Sequence, residues 1–224
     1  MKTYMCIGAG PGIGLATARR FAREGYRIVL VSRSAADNDR LREMLGNDIA
    51  DVRFESADAT DPAQLGALLE RYADTGIDVI HYNAAAMRYD PSGALVGAPI
   101  DAQGSAEITS DIAVNVATPL ATLAKVLPSM EARGTGTILL TGGGFAVEPS
   151  ADFLTLSVGK AALRTAAQAL FEPLKQRGVH IATVRVSTLV ASDPGHPAKI
   201  ADEFWALHAQ PPEAWTWEAI YPRA

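Results

Sequence analysis

The sequence predicts a doubly wound α/β domain, a central parallel sheet flanked by helices on both faces. Three observations carry that reading. Short apolar strands alternate with amphipathic helical stretches along the chain. The first strand runs directly into Gly8-Ala9-Gly10-Pro11-Gly12-Ile13-Gly14, a glycine-rich turn that opens a helix. The 224 residues, 48% of them hydrophobic, suffice for one large core, and no repeat or low-complexity tract divides residues 1–224 into more than one domain.

In chain order, residues 4–7 (YMCI) form an apolar strand and residues 15–22 continue as helix. Between them the glycines let the backbone approach a pyrophosphate, while the helix start supplies unpaired N–H groups and partial positive charge. Residues 27–31 (RIVLV) are a second strand, closed by Ser32-Arg33-Ser34, and residues 37–45 a short amphipathic helix. Residues 52–55 make the third strand. Asp61 caps the next helix, with Pro62 at its first position, and that helix runs to about Tyr72. Residues 79–82 (VIHY) form a fourth strand, apolar enough to be buried on both faces.

Residues 84–104, rich in Pro, Gly and Ala, form a connection long enough to carry function. A long helix spans residues 106–133 with an expected kink at Pro119. The fifth strand is 137–141, a helix follows over 157–177 with Pro173 bending its last turns, and the sixth strand is 179–186. Residues 187–224 hold Pro194, Pro197, Pro211 and Pro212 with Phe204, Trp205, Trp215 and Trp217. They read as a substrate lid over the carboxyl edge of the sheet, or as aromatics packing a C-terminal helix onto the core.

A net charge of −5 with scattered basic residues argues against nucleic acid or an anionic membrane as the main partner. No apolar run approaches the roughly 18 residues needed to span a bilayer, so no membrane partner is expected. Met1-Lys2-Thr3 leads straight into the first strand, leaving no room for a cleavable signal. The one cysteine, Cys6, lies inside that strand and permits no disulfide. A cytoplasmic location is expected. His81, His180 and His208 show no ligand spacing, and no metal site is expected.

The glycine spacing decides among nucleotide readings. A flavin or ordinary dinucleotide fingerprint requires glycine where Ile13 stands and an acid at the end of the second strand, where Ser32 and Arg33 stand. The spacing that fits is Gly-x-x-x-Gly-x-Gly, at Gly8, Gly12 and Gly14. With Asp58-Ala59, Asn83-Ala84-Ala85, Asn115 and Lys160 in order behind it, the chain resembles the short-chain dehydrogenase/reductase family over nearly its whole length. That family has a Rossmann fold. The resemblance implies a cofactor set of Gly8, Gly10, Gly12, Ile13 and Gly14 at the turn, then Asp58 and Ala59 at the adenine. Asn83, Ala84, Ala85 and Thr141 follow along the central strands, with Lys160 at the nicotinamide ribose and Val190 beyond the sixth strand. It also implies that Asn115 holds a water of a proton relay. A serine–arginine pair at 32–33 offers a hydroxyl and a fork of donors to a 2′-phosphate, which favours NADP(H) over NAD(H).

The same resemblance implies a tyrosine four residues before Lys160 and a serine thirteen before that. Leu156 and Gly143 occupy those places, and neither side chain can donate a proton. Ser157, Thr155, Thr141, Tyr82, Tyr89, Asp152 and His196 are the groups near enough in sequence to compensate. Each has a plainer reading: cap, strand end, core or solvated loop. The expected function is an NADP(H)-dependent oxidoreductase acting on a small carbonyl, enone or imine without a tyrosine acid. The alternatives are an NADP(H)-binding protein without redox work (a sensor, scaffold or shape-templating catalyst) and an inactive structural partner. Association as a dimer or tetramer through the helices at 106–133 and 157–177 is implied by the resemblance.

Overall fold

The computed structural model describes every residue except 47, 74, 92, 93, 223 and 224. Seven strands form one sheet: β1 (Thr3–Ile7), β2 (Arg27–Ser32), β3 (Val52–Ser56), β4 (Val79–Tyr82), β5 (Gly136–Thr141), β6 (Val179–Val186) and β7 (Glu218–Tyr221). Their order is β3-β2-β1-β4-β5-β6-β7, every pair parallel. The order reverses between β1 and β4, so the crevice above their carboxyl ends is where a doubly wound sheet takes its ligand.

The helices are α1 (Ile13–Arg23), α2 (Ala35–Leu45), α3 (Pro62–Glu70), α4 (Ser105–Ile112), α5 (Thr118–Arg133), α6 (Leu154–Lys175) and α7 (His196–His208). Two apolar clusters cover the two sheet faces. One holds Met5, Val29, Ile80, Ile138, Leu163 and Phe171. The other holds Tyr4, Leu15, Phe21, Leu30, Ile200 and Phe204. Alternate residues of β1 thus face opposite clusters, as the two-residue period of a strand requires. Burying Phe21 and Phe204 completely contributes about 1.5–3 kcal/mol each.

Several boundaries and one element depart from the sequence reading. The β7 strand was not expected, because Glu-Ala-Ile-Tyr is only four residues long and opens on a charge; Arg164 holds it to α6 through Glu218 at 2.9 Å. Of residues 187–224, α7 packs onto α1, where Trp205 meets Phe21 edge-on at 5.1 Å, and β7 closes the sheet. The α6 helix starts at Leu154, a turn before the expected 157. Pro119 produces no simple kink. Lacking an N–H, it cannot bond the carbonyl four residues back, and residues Ala113–Ala117 widen into a π-turn between α4 and α5. There Asn115 lies against Gly159, where any side chain would come within 2.3 Å of Asn115 Cβ.

One further expectation is corrected. The helical run Ser105–Arg133 is long and apolar enough to cross a membrane by length and mean hydropathy (1.3). The sequence reading missed this because threonines and prolines break the run into short apolar stretches, whose aliphatic residues keep the average high. Its inner face is buried against the protein core through Leu123, Val126 and Met130.

Candidate active site

At the first turn Gly8 has φ +78°, and a side chain there would strike Ala84 at 2.4 Å; only glycine fits. The N–H groups of Gly8 and Ala9 both donate to Val31 O at 2.9 Å, which fixes the entry to the turn. Over Gly10 and Gly12 an added carbon would meet nothing within 4 Å. No side chain caps α1, and no acid stands in its first turn. The arrangement leaves open room and an unsatisfied positive helix end for an anion. Ile13 is the first residue of α1, and Gly14 is packed against Asn83 and Cys6.

At the end of β2 the two neighbours of the expected pair behave differently. Ser32 is buried, its hydroxyl donating to Asn38 Oδ1 (2.6 Å) and contacting Ser34 O (3.1 Å). Contrary to expectation, it turns inward and fastens α2 to the sheet. Arg33 is exposed and, among the described residues, makes no hydrogen bond or ion pair. Asp58 Oδ1 accepts Thr60 N–H (2.9 Å), and Ala59 O accepts the Thr118 hydroxyl (2.7 Å). Val190 sits in a short 3-10 turn after β6, partly buried against the core.

The centre of the site is a buried hydrogen-bond chain. Asn83 Nδ2 donates to Gly8 O (2.9 Å), and Asn83 Oδ1 accepts the Thr141 hydroxyl (2.8 Å). Thr141 Oγ1 also meets His81 Nε2 at 2.8 Å, and His81 Nδ1 meets the Tyr4 hydroxyl at 2.7 Å. Lys160 Nζ donates to Thr141 O (2.7 Å). Burial lowers His81 to about 3 and Lys160 to about 8. Thr141 Oγ1 donates to Asn83 and lies within hydrogen-bond distance of His81, so its proton is already committed inside the protein. Ala84 N–H bonds Ile7 O at 3.1 Å, and Ala85 follows half-buried.

Leu156 is buried on the first turn of α6, one turn before Lys160. A carbon added at Gly143 would lie 3.3–3.5 Å from the Lys160 stem. Ser157, expected to cap the helix, lies within it. Its hydroxyl donates to Phe153 O (2.9 Å) and accepts Ser150 N–H (3.2 Å). Thr155 donates to Asp111 Oδ2 at 2.7 Å, and Arg88 grips both oxygens of Asp111 at 2.8 and 3.1 Å and also meets Glu107 at 2.9 Å. A cavity of about 50 Å³ opens beside Leu156, lined by Ala86, Met87, Arg88, Leu95, Val96, Gly97, Ala98, Gln103, Asp152, Phe153 and Thr155.

Asn115 accepts Ala86 N–H through Oδ1 (2.9 Å), leaving its buried Nδ2 without a partner among the described residues. Tyr82 is core, its hydroxyl donating to Val114 O. Tyr89 is 57% exposed, turned to Met87 Sδ and outside the cavity lining. Asp152 borders the cavity as an exposed carboxylate, and His196 meets Tyr221 Oη at 2.7 Å in the first turn of α7. Sequence reasoning missed His81, Tyr4, Arg88 and Asp111. Their partners lie 19 to 77 residues away, and only a polar or charged residue in an apolar strand or helix face could have signalled them.

The comparisons agree with this geometry. The profile of the family described as short chain dehydrogenase matches residues 2–193. An oxidoreductase of Sarocladium schorii is 28% identical over 80% of this chain and 69% of its own length. A D-beta-hydroxybutyrate dehydrogenase of Rhizobium meliloti is 30% identical over 62% of this chain, which spans 52% of that relative. Among solved structures, a metagenomic short-chain oxidoreductase in complex with NADP superposes with a TM-score of 0.85 at 24% identity, covering 98% of this chain and 96% of that one. A short-chain dehydrogenase from Rhodopseudomonas palustris gives 0.84 at 24% identity, covering 100% and 99%. With a glycine turn, a parallel sheet in this order and a profile match over most of its length, the chain belongs to the short chain dehydrogenase family of oxidoreductases.

Proposed function

We propose that the protein binds NADP(H) and reduces a small carbonyl, enone or imine without a tyrosine to supply the proton. The observation that carries this reading is Leu156, buried at the cavity one turn before Lys160, where the family would place a tyrosine acid. The open space over Gly10 and Gly12, the uncapped α1 and the unpaired Arg33 fit a dinucleotide phosphate. When bound, the nicotinamide supplies hydride to the acceptor carbon.

The residues divide the remaining work. Arg33 binds the 2′-phosphate, and the first N–H groups of α1 bind the pyrophosphate. Asp58 receives the adenine amino group. Lys160, held by Thr141 O, donates to the ribose. Leu156 and Phe153 exclude water from the reacting carbon. A positioned acid is worth about 10²–10⁴ in rate, roughly 3–5 kcal/mol. Substrates that do not need one suit the site: an iminium ion already carries its proton, and a conjugated enone takes one from water. The lid is confined to residues 187–195, ahead of α7, where Leu189 is exposed. Exposed Leu120 on α5 and Leu154 and Val158 on α6 support self-association through those helices.

Steady-state NADPH oxidation over imines, enones and ketones tests the reading. Turnover of imines or enones above ketones supports it, and tight NADPH binding with no turnover of any class defeats it. The same apolar Leu156 favours one rival, a cofactor-binding protein without redox work. Deuterium transfer from stereospecifically labelled NADPH separates the two.

A further inference from the structure

The buried chain from Tyr4 to Gly8 has only one consistent direction. Asn83 Nδ2 donates to Gly8 O, which turns Asn83 Oδ1 toward Thr141 as an acceptor. The Thr141 hydroxyl therefore spends its single proton on Asn83 and has only a lone pair left for His81. His81 Nε2 must carry the ring proton, and Nδ1 must be the acceptor. The Tyr4 hydroxyl then donates to Nδ1. Tyr4, His81 and Thr141 are each at least nine-tenths buried, so no water substitutes for a missing link between them.

The chain ties together, through side chains, two parts of the candidate site that lie at the ends of different strands, β1 and β5. At one end it holds the carbonyl of Gly8, in the turn over which the phosphates are proposed to sit. Midway it grips the strand end whose Thr141 O holds Lys160 Nζ. We propose that His81 is a positioning residue. Fixed as the Nε2–H tautomer by Tyr4, it sets Thr141 and Asn83 so that Gly8 and Lys160 meet the dinucleotide in one frame. The inference rests on the NADP(H) reading for its consequence but not for its geometry. His81 touches neither substrate nor cofactor; it acts through Thr141.

Two measurements test it on the full chain. Nitrogen-15 NMR of the imidazole in the cofactor-free protein should show Nε2 protonated and Nδ1 bare. A ring protonated on Nδ1 overturns the proposal whether or not any cofactor binds. Calorimetric titration with NADPH then compares variants whose far-ultraviolet dichroism and cooperative unfolding match the parent. His81→Leu, which leaves the Thr141 lone pair and the Tyr4 proton unpaired, should bind about tenfold more weakly. His81→Gln, whose amide can still donate to Thr141, should bind within about threefold of the parent. Equal affinity for His81→Leu and the parent overturns the proposal, and so does equal weakening by both variants. Absence of NADPH binding in the parent defeats the cofactor reading and leaves the tautomer measurement to decide this one.

Discussion

A carbon placed on Gly143 would lie 3.3 Å from Lys160 Cγ, and Leu156 stands one turn before that lysine on the same helix. The two positions belong to two elements that meet at one buried lysine, the turn after β5 and the start of α6.

That relationship yields a gain-of-function prediction. Gly143→Ser with Leu156→Tyr places a hydroxyl donor and a phenol beside Lys160, whose charge favours the phenolate and so sharpens the acid. NADPH-dependent ketone reduction should rise by about 10² or more in the double variant, measured at steady state. Less than a threefold rise, with NADPH still bound, removes these two positions as the reason for weak ketone reduction.

Arg33 should govern cofactor choice. Its guanidinium is exposed and unpaired, so Arg33→Ala should weaken NADPH by about 10–100-fold, the worth of a charge-assisted pair. NADH affinity should change little. Calorimetry with both cofactors at two salt concentrations reads this directly, and an equal loss for the two places Arg33 outside the phosphate site.

Stability should fall on the acid side of neutrality. His81 and His208 are held neutral in the fold, lowered by burial from 6.5 to about 3 and about 4. The unfolded chain therefore binds more protons than the folded one below pH 6.5. Their contribution is complete above that pH and is lost as the pH falls toward 4, by about 1.4 kcal/mol per pH unit for each ring. Urea unfolding at pH 7.5, 5.5 and 4.5 tests the slope. His81→Gln should flatten it by about half over that window.

The Arg88–Asp111 pair should show strong coupling. Asp111 has only 2% of its side chain exposed and takes Arg88 and Thr155 together. Arg88→Met strands the carboxylate and should cost about 2 kcal/mol, a value reduced because Arg88 itself is half-exposed. Adding Asp111→Leu should restore part of that stability, since no buried charge is then left alone. Additive losses in a double-mutant cycle by urea unfolding contradict the pairing.

Much of this molecule could be read before folding was considered. The strands β4 and β6 were placed to the residue because β-branched and apolar residues dominate their four and eight positions and turn formers bound β6. Asp61 and Pro62 announced α3 through its cap, whose carboxylate accepts the N–H groups of Ala63 and Gln64. The phosphate turn was legible because Gly8 is required by backbone shape. What escaped is non-local. Nothing near His81 in the sequence says that Tyr4 and Thr141 will stand on either side of it. Ser32 looked like a ligand because its inward partner, Asn38, lies one helix turn later. The strand β7 needs the edge of β6 to exist before its four residues have anything to pair with.

The widened turn at Ala113–Ala117 carries a consequence for chain length. It stores one residue more than regular winding would need, and each helical residue rotates the chain by about 100°. Excising a single amino acid there would return the segment to regular winding with both flanking helices keeping their faces, whereas excising one from within Ser105–Ile112 would turn the residues before the cut by that angle. Asp111 would keep its arginine and threonine partners in the first case, so this stretch should tolerate one deletion far better than the regular turns on either side of it.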